Sequence, residues 1–264
     1  MSIVLGGQKI ATPGLETISW LDDSNVPRAT DTNRRAVWIR AIVLHTVKGK
    51  VGGLRSGTAP PSTRAERYAK YQSNTSRDVS WDYTIDTDGT VIVSNDPIAA
   101  YTWHATSVNP WTIGIELVQE DNGDLWEGQI VATVAFLDLL TRELADRGHP
   151  VQRQVPMDSQ GKPVRGVISR IENASEAKSV VGVYGHRNQT RNRGPGDPGD
   201  IIFDALLKAG YKGMNFDSRD DIKFWKDVQT MLGTSADGVP GPGTAQALKA
   251  KGYAHGLWVN RPGD

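Results

Sequence analysis

Three of the five histidines in this sequence sit where a side chain can do chemistry, and there is no cysteine to share the work. His45 closes the apolar run Ala36-Val-Trp-Ile-Arg-Ala-Ile-Val-Leu-His45, and His186 closes Val180-Val-Gly-Val-Tyr-Gly-His186. Strand ends of this kind present a side chain from a rigid scaffold to a loop-lined crevice. A zinc hydrolase takes three protein ligands and keeps a fourth position for water. With no thiolate available, those ligands must be His together with Asp or Glu. His45 and His186 supply two. The run Gly194-Pro-Gly-Asp197-Pro-Gly-Asp200 follows, and its glycines let the backbone curl so that Asp197 returns toward His186. Two structural histidines and a helix-capping aspartate account for the same residues, and spacing alone does not separate the readings. The interval from His186 to Asp197 is too wide for ligands one helical turn apart, and no HExxH motif is present. His149, in the turn Arg147-Gly-His-Pro150, and His255 in the tail read as surface residues.

The elements that must position these groups are legible in outline. The first strand leads into His45, and residues 48 to 63, rich in Gly, Pro, Ser and Thr, read as a loop before a short helix around Arg64–Gln72. Ser80–Thr87 and Thr90–Ser94 flank Asp88-Gly89, a hairpin signature. Thr112–Val118 is a further strand. Gly128–Arg147 is the clearest helix: Ile130, Val134, Leu137, Leu140 and Leu144 repeat at three and four residues. Residues 153 to 176 show only weak local preference, and Ile201–Ala209 is amphipathic. Interleaved strands and helices predict an α/β architecture, a central mixed β-sheet flanked by helices, over residues 1–213. After Gly213 the composition shifts. Asp217 or Ser218 offers a helix cap, Phe224, Val228 and Leu232 form a stripe, and a second helix restarts at Thr244. Residues 214–264 therefore read as a small helical module, near the lower size limit for folding alone and expected to pack on the larger domain or stay marginal.

The chain has 264 residues with 30 basic and 30 acidic side chains, so no global charge draws it to nucleic acid or an anionic membrane. No run approaches the roughly 18 apolar residues of a membrane helix. Met1–Thr17 lacks a basic region followed by an apolar core, so no cleavable signal peptide is expected. A monomer is the expectation.

Val43-Leu-His45-Thr, Trp103-His104-Ala, Ile113-Gly-Ile-Glu116-Leu and Gly185-His186-Arg with Asp197-Pro-Gly resemble the motif set of zinc-dependent N-acetylmuramoyl-L-alanine amidases of the type 2 class, a superfamily that includes peptidoglycan recognition proteins. The motifs occur in the family's order across roughly residues 36 to 205. The tail, with Val228-Gln-Thr-Met-Leu-Gly233 and Asp237-Gly-Val-Pro-Gly-Pro-Gly-Thr244-Ala-Gln-Ala-Leu248, is similar to the peptidoglycan-binding-domain-1 family. The resemblance implies zinc held by His45, His186 and Asp197, Glu116 as general base or water-orienting group, and His104 facing the substrate. It implies peptidoglycan as the partner, and a phage-type endolysin made in the host cytoplasm and acting on the cell wall.

Two departures stand out. The lysine that many relatives carry two residues before the last ligand is Pro195 here, leaving Arg191 or Arg193 to steady an oxyanion, with Arg193 the expected catalytic arginine. A tyrosine of some phage relatives aligns with Trp81, which cannot exchange protons but can stack on a sugar. Glu116 shares a strand face with Gly114, whose small size is expected to leave room for substrate. Two other classes compete: a recognition module that binds without cutting, and a glycosidase using Asp82 with Glu116. The stretches Lys48–Val79 and Val155–Ala177 look like elaborations around the cleft.

Overall fold

A computed structural model of the chain describes residues 1–21, 38–149, 151–216, 220–238 and 240–252. The anticipated cap at Asp217 or Ser218, and His255, lie outside the described residues. Along the chain run β1 (Ser2–Leu5), β2 (Gln8–Ala11), β3 (Thr17–Ser19), β4 (Ala41–Thr46), β5 (Leu54–Arg55) and helix α1 (Arg64–Asn74). Next come β6 (Tyr83–Ile85), β7 (Val91–Val93), a 3-10 turn over Thr106–Trp111, β8 (Thr112–Leu117), β9 (Leu125–Trp126), helix α2 (Glu127–Asp146) and β10 (Gln154–Pro156). Short helices α3 (Ser169–Glu172) and α4 (Ala174–Ala177) precede β11 (Gly182–Gly185), α5 (Asp200–Lys208), β12 (Lys212–Met214), α6 (Asp220–Leu232) and α7 (Pro242–Ala250).

Six strands form the central sheet in the order β11-β4-β8-β6-β7-β3. β11, β4, β8 and β6 run parallel, β7 returns antiparallel to β6, and β3 joins β7 in parallel. The expected mixed sheet is what the chain builds. Strand alternation divides its core in two. Ile42 and Leu44, Ile113, Ile115 and Leu117, and Val183 point to the face covered by α2 and α5, against Phe136, Leu137, Leu140, Phe203 and Leu206. Ala41, Val43 and Tyr184 point the other way. By the same parity His45 and Glu116 share that second face, at the carboxyl ends of β4 and β8, where open α/β sheets place ligands.

The second face carries α1 on one side and, on the other, a cluster to which the C-terminal helices contribute. Phe224, Trp225 and Val228 of α6 and Leu248 of α7 are buried in one cluster with Val43, Tyr184, Val180 and Ile171. The Gln229 amide donates to Asp237 at 2.8 Å and its carbonyl oxygen accepts from the Gly238 amide at 2.7 Å, closing the turn between α6 and α7. Lys249 reaches Asp146 at the end of α2, 3.3 Å away. Trp225 is 1% exposed, so Trp225→Ala should cost about 3–5 kcal/mol of global stability. Urea unfolding followed by circular dichroism checks this. An unchanged main transition would mean that α6 is only tethered to the sheet.

The stretch 153–176, weak in local preference, folds by pairing: β10 lies parallel to β12, with Gln154 opposite Lys212. Among the described residues no helix is long and apolar enough to cross a membrane.

Candidate metal centre and cleft

Three strand ends converge. Pairing of β4 with β8 sets His45 beside Glu116, and pairing of β11 with β4 sets Gly185 beside Leu44, so His186 emerges next to His45. Their rings lie 4.5 Å apart, centroid to centroid. Asp197 arrives from the turn after β11. The Thr46 amide donates to Asp197 Oδ1 at 2.9 Å, and the Thr46 hydroxyl donates to the Gly196 carbonyl at 2.6 Å. A Cβ on Gly196 would fall 2.2 Å from the Lys50 carbonyl carbon, so only glycine lets the turn pack this closely. Behind the turn Arg187, 1% exposed, donates its backbone N–H to Asp197 O and its guanidinium to Pro195 O, and pairs with Asp200 at 2.9 Å. Each end of the turn is thus held by buried hydrogen bonds.

The ligand atoms of His45, His186 and Asp197 all lie within 4.8 Å of one another, and all three residues are buried. Nδ1 of His186 is 3.5 Å from Asp197 Oδ2 and is buried with no hydrogen-bond partner. Burial lowers His186 to about 3 and holds His45 well below the ordinary imidazole value, while it raises Asp197 to about 6. Two neutral imidazoles, a buried carboxylate and an orphaned ring nitrogen suit a divalent cation, and the donor set fits zinc. Beside them Glu116 keeps Oε2 buried and unpartnered. Burial first, then the Asp197 charge, push its carboxyl well above the ordinary range.

The two arginines proposed for the oxyanion separate cleanly. Arg193 brings Nε to 3.8 Å from Asp197 Oδ2 and lines the cleft. Arg191 instead pairs with Glu172 at 3.2 Å, 81% exposed. His104 packs its ring against Gly114: a Cβ there would meet His104 Cγ at 2.6 Å. The space beside Glu116 that Gly114 was expected to leave for substrate is therefore filled by His104. Trp81 lies in the cleft lining but is 5% exposed, its indole N–H donating to Thr84 Oγ1 at 2.8 Å. Asp82 is fully buried and accepts from the Gly114 amide and the Thr102 hydroxyl, so it does not face a sugar bond. The Asp82–Glu116 glycosidase pair is set aside on that burial. His149, read as a surface residue, is half-buried, and its Nδ1 accepts the Ile39 amide at 3.1 Å.

The cleft comprises two adjoining hollows of about 710 and 550 Å³ that share Glu116, Arg193, Tyr71 and Arg77. The larger is lined by more basic than acidic groups, although Lys48 pairs with Asp121 and Arg64 with Glu120. Arg64, Arg67, Tyr68 and Tyr71 of α1 line it together with Lys48 and Arg77. Their spacing of three, four and seven residues marks one helix face, a pattern present in the sequence that could have flagged them. Trp103, 44% exposed, and Thr106, with a positive φ of 47°, were also missed as cleft residues. Of the two elaborations expected around the cleft, the first supplies this wall, whereas the lining includes no residue of 155–177.

The family model described as N-acetylmuramoyl-L-alanine amidase, Amidase_2, matches residues 33–200. The chain belongs to this amidase family. All the residues placed in the centre above fall within the matched stretch. A search of curated proteins finds no match. Among solved structures, the N-acetylmuramoyl-L-alanine amidase LysC from Clostridium intestinale URNW is 15% identical, with a TM-score of 0.44, over 76% of this chain and 100% of that one. Drosophila PGRP-LB is 14% identical with a TM-score of 0.45, over 75% and 96%. AmpD, as its selenomethionine derivative, is 19% identical with a TM-score of 0.42, over 77% and 99%.

Proposed function

We propose that the protein is a zinc amidase that hydrolyses the amide bond between the lactyl group of N-acetylmuramic acid and L-alanine of the peptidoglycan stem peptide. The observation that carries this reading is the buried His45–His186–Asp197 cluster, with its orphaned nitrogen, set beside Glu116 at the floor of an open cleft. When bound, zinc supplies a Lewis acid that acidifies water and polarises a carbonyl. Glu116 takes a proton from the attacking water and returns it to the departing L-alanine nitrogen, so that water adds to the carbonyl carbon as the C–N bond breaks. Arg193 steadies the negative charge that develops on the carbonyl oxygen, in place of the absent lysine. The basic wall of α1 suits the carboxylates of a stem peptide, and the exposed faces of Tyr71 and Trp103 suit sugar rings.

Residues 214–264 hold the enzyme on its polymer and raise its local concentration there. Together with the catalytic domain they compose an endolysin of phage type that acts on the bacterial wall. A recognition protein that binds without cutting has no need of a complete ligand set, and here all three positions are filled.

The test is to count new chain ends in purified peptidoglycan with and without a zinc chelator. Free alanine amino groups that appear only without chelator are the expected result. New reducing ends would establish a glycosidase. Binding with neither product would establish a recognition module.

A further inference from the structure

We propose that His104 is a positioning residue for the metal centre, which, oriented by Thr112, fixes the tautomer of His45. This rests on the reading of His45 as a metal ligand. The atoms form a line. The Thr112 hydroxyl donates to the Val108 carbonyl at 2.9 Å, which spends its single proton. Thr112 Oγ1 also lies 3.1 Å from His104 Nε2; with its proton given to Val108 it accepts there, which assigns the ring proton of His104 to Nε2. In its neutral form the His104 ring has only that proton, so Nδ1 is then an acceptor. It lies 3.1 Å from His45 Nε2, which must therefore be the donor. His45 is left with its proton on Nε2 and a lone pair on Nδ1.

The consequence is a ligand prepared before the metal arrives. A metal-binding imidazole needs one bare nitrogen, and the partner of its other N–H decides which nitrogen that is. His186 presents the matching arrangement, since its own Nδ1 is the buried, unpartnered atom next to Asp197. The line is also held mechanically. Thr112 is fully buried at the start of β8, and the His104 backbone N–H donates to Asn109 Oδ1 at 3.2 Å, while Gly114 leaves only enough room for the ring. Both His104 ring nitrogens are committed along this line. His104 also lines the cleft, so this positioning role stands beside the substrate-facing one expected of it.

The test uses the full chain. In the metal-free wild type, long-range proton–nitrogen NMR correlations should show His45 and His104 both protonated at Nε2. Zinc alone is then titrated against a competing chelator. Thr112→Val should weaken zinc binding by about 10–100-fold, whereas Thr112→Ser, which keeps the hydroxyl, should restore it. His45 protonated at Nδ1, or Thr112→Val binding zinc as tightly as wild type, would overturn the proposal. A wild type that binds no zinc at all would instead overturn the metal reading on which it rests. Should Thr112→Val fail to fold, the wild-type tautomers still decide.

Discussion

Asp197→Ala is expected to yield a folded protein that retains no zinc and releases no alanine amino groups from peptidoglycan. In the proposed centre the carboxylate is one of three ligands, and its Oδ2 is the atom facing the orphaned His186 nitrogen. Loss of an outer partner of a ligand costs about 10–100-fold in affinity, and loss of the ligand itself costs more. The fold should survive because the cost is limited. Burial already disfavours the Asp197 charge, so alanine removes an unfavourable group along with a useful one. The main loss is the acceptor for the Thr46 amide, an unpaired donor worth about 1–3 kcal/mol. Metal analysis after dialysis, beside a circular dichroism spectrum, reads both halves. Normal zinc content in the variant would remove Asp197, and with it the His-His-Asp centre.

Glu116→Gln should do the opposite: keep the zinc and lose the rate. Glutamine fills the same space at the end of β8 but cannot take a proton from water. A positioned general base contributes about 10²–10⁴-fold, and a fall of that size in kcat on a soluble muropeptide is expected, with zinc content unchanged. Because the wild-type carboxylate is buried with Oε2 unpartnered, the neutral amide should leave stability equal or slightly raised. An undiminished rate would take Glu116 out of the reaction. Zinc lost along with the rate would make it a ligand instead.

Much of the catalytic half was legible because its chemistry sits on strongly patterned elements. The apolar runs ending in His45 and His186 are strands β4 and β11, and the stripe of Ile130, Leu137 and Leu140 is the buried face of α2. Asp88-Gly89 turns the β6–β7 hairpin, with Gly89 at a positive φ of 93°. What escaped depends on partners distant in sequence. β10 has little apolar pattern and exists through its pairing with β12, and β3 completes the sheet by pairing with β7. Gly114 was read by its size alone, and only the return of the Trp103–Ala105 loop shows that His104 occupies the space. Arg193 is the expected catalytic arginine, but the sequence leaves Arg191 beside it as a second candidate. The ion pair of Arg191 with Glu172, itself on α3, separates them.

The burial of Phe224, Trp225 and Val228 in one cluster with Val43 and Tyr184 limits how this protein can be recombined. Domains joined only by a flexible linker share little buried surface, so one can be exchanged at small cost to the other. Here the C-terminal helices form part of the same hydrophobic core as the sheet. A chimera that trades α6 and α7 for a foreign anchor trades away part of its own hydrophobic core. A viable graft must either retain the apolar face of α6 or arrive with a replacement for it.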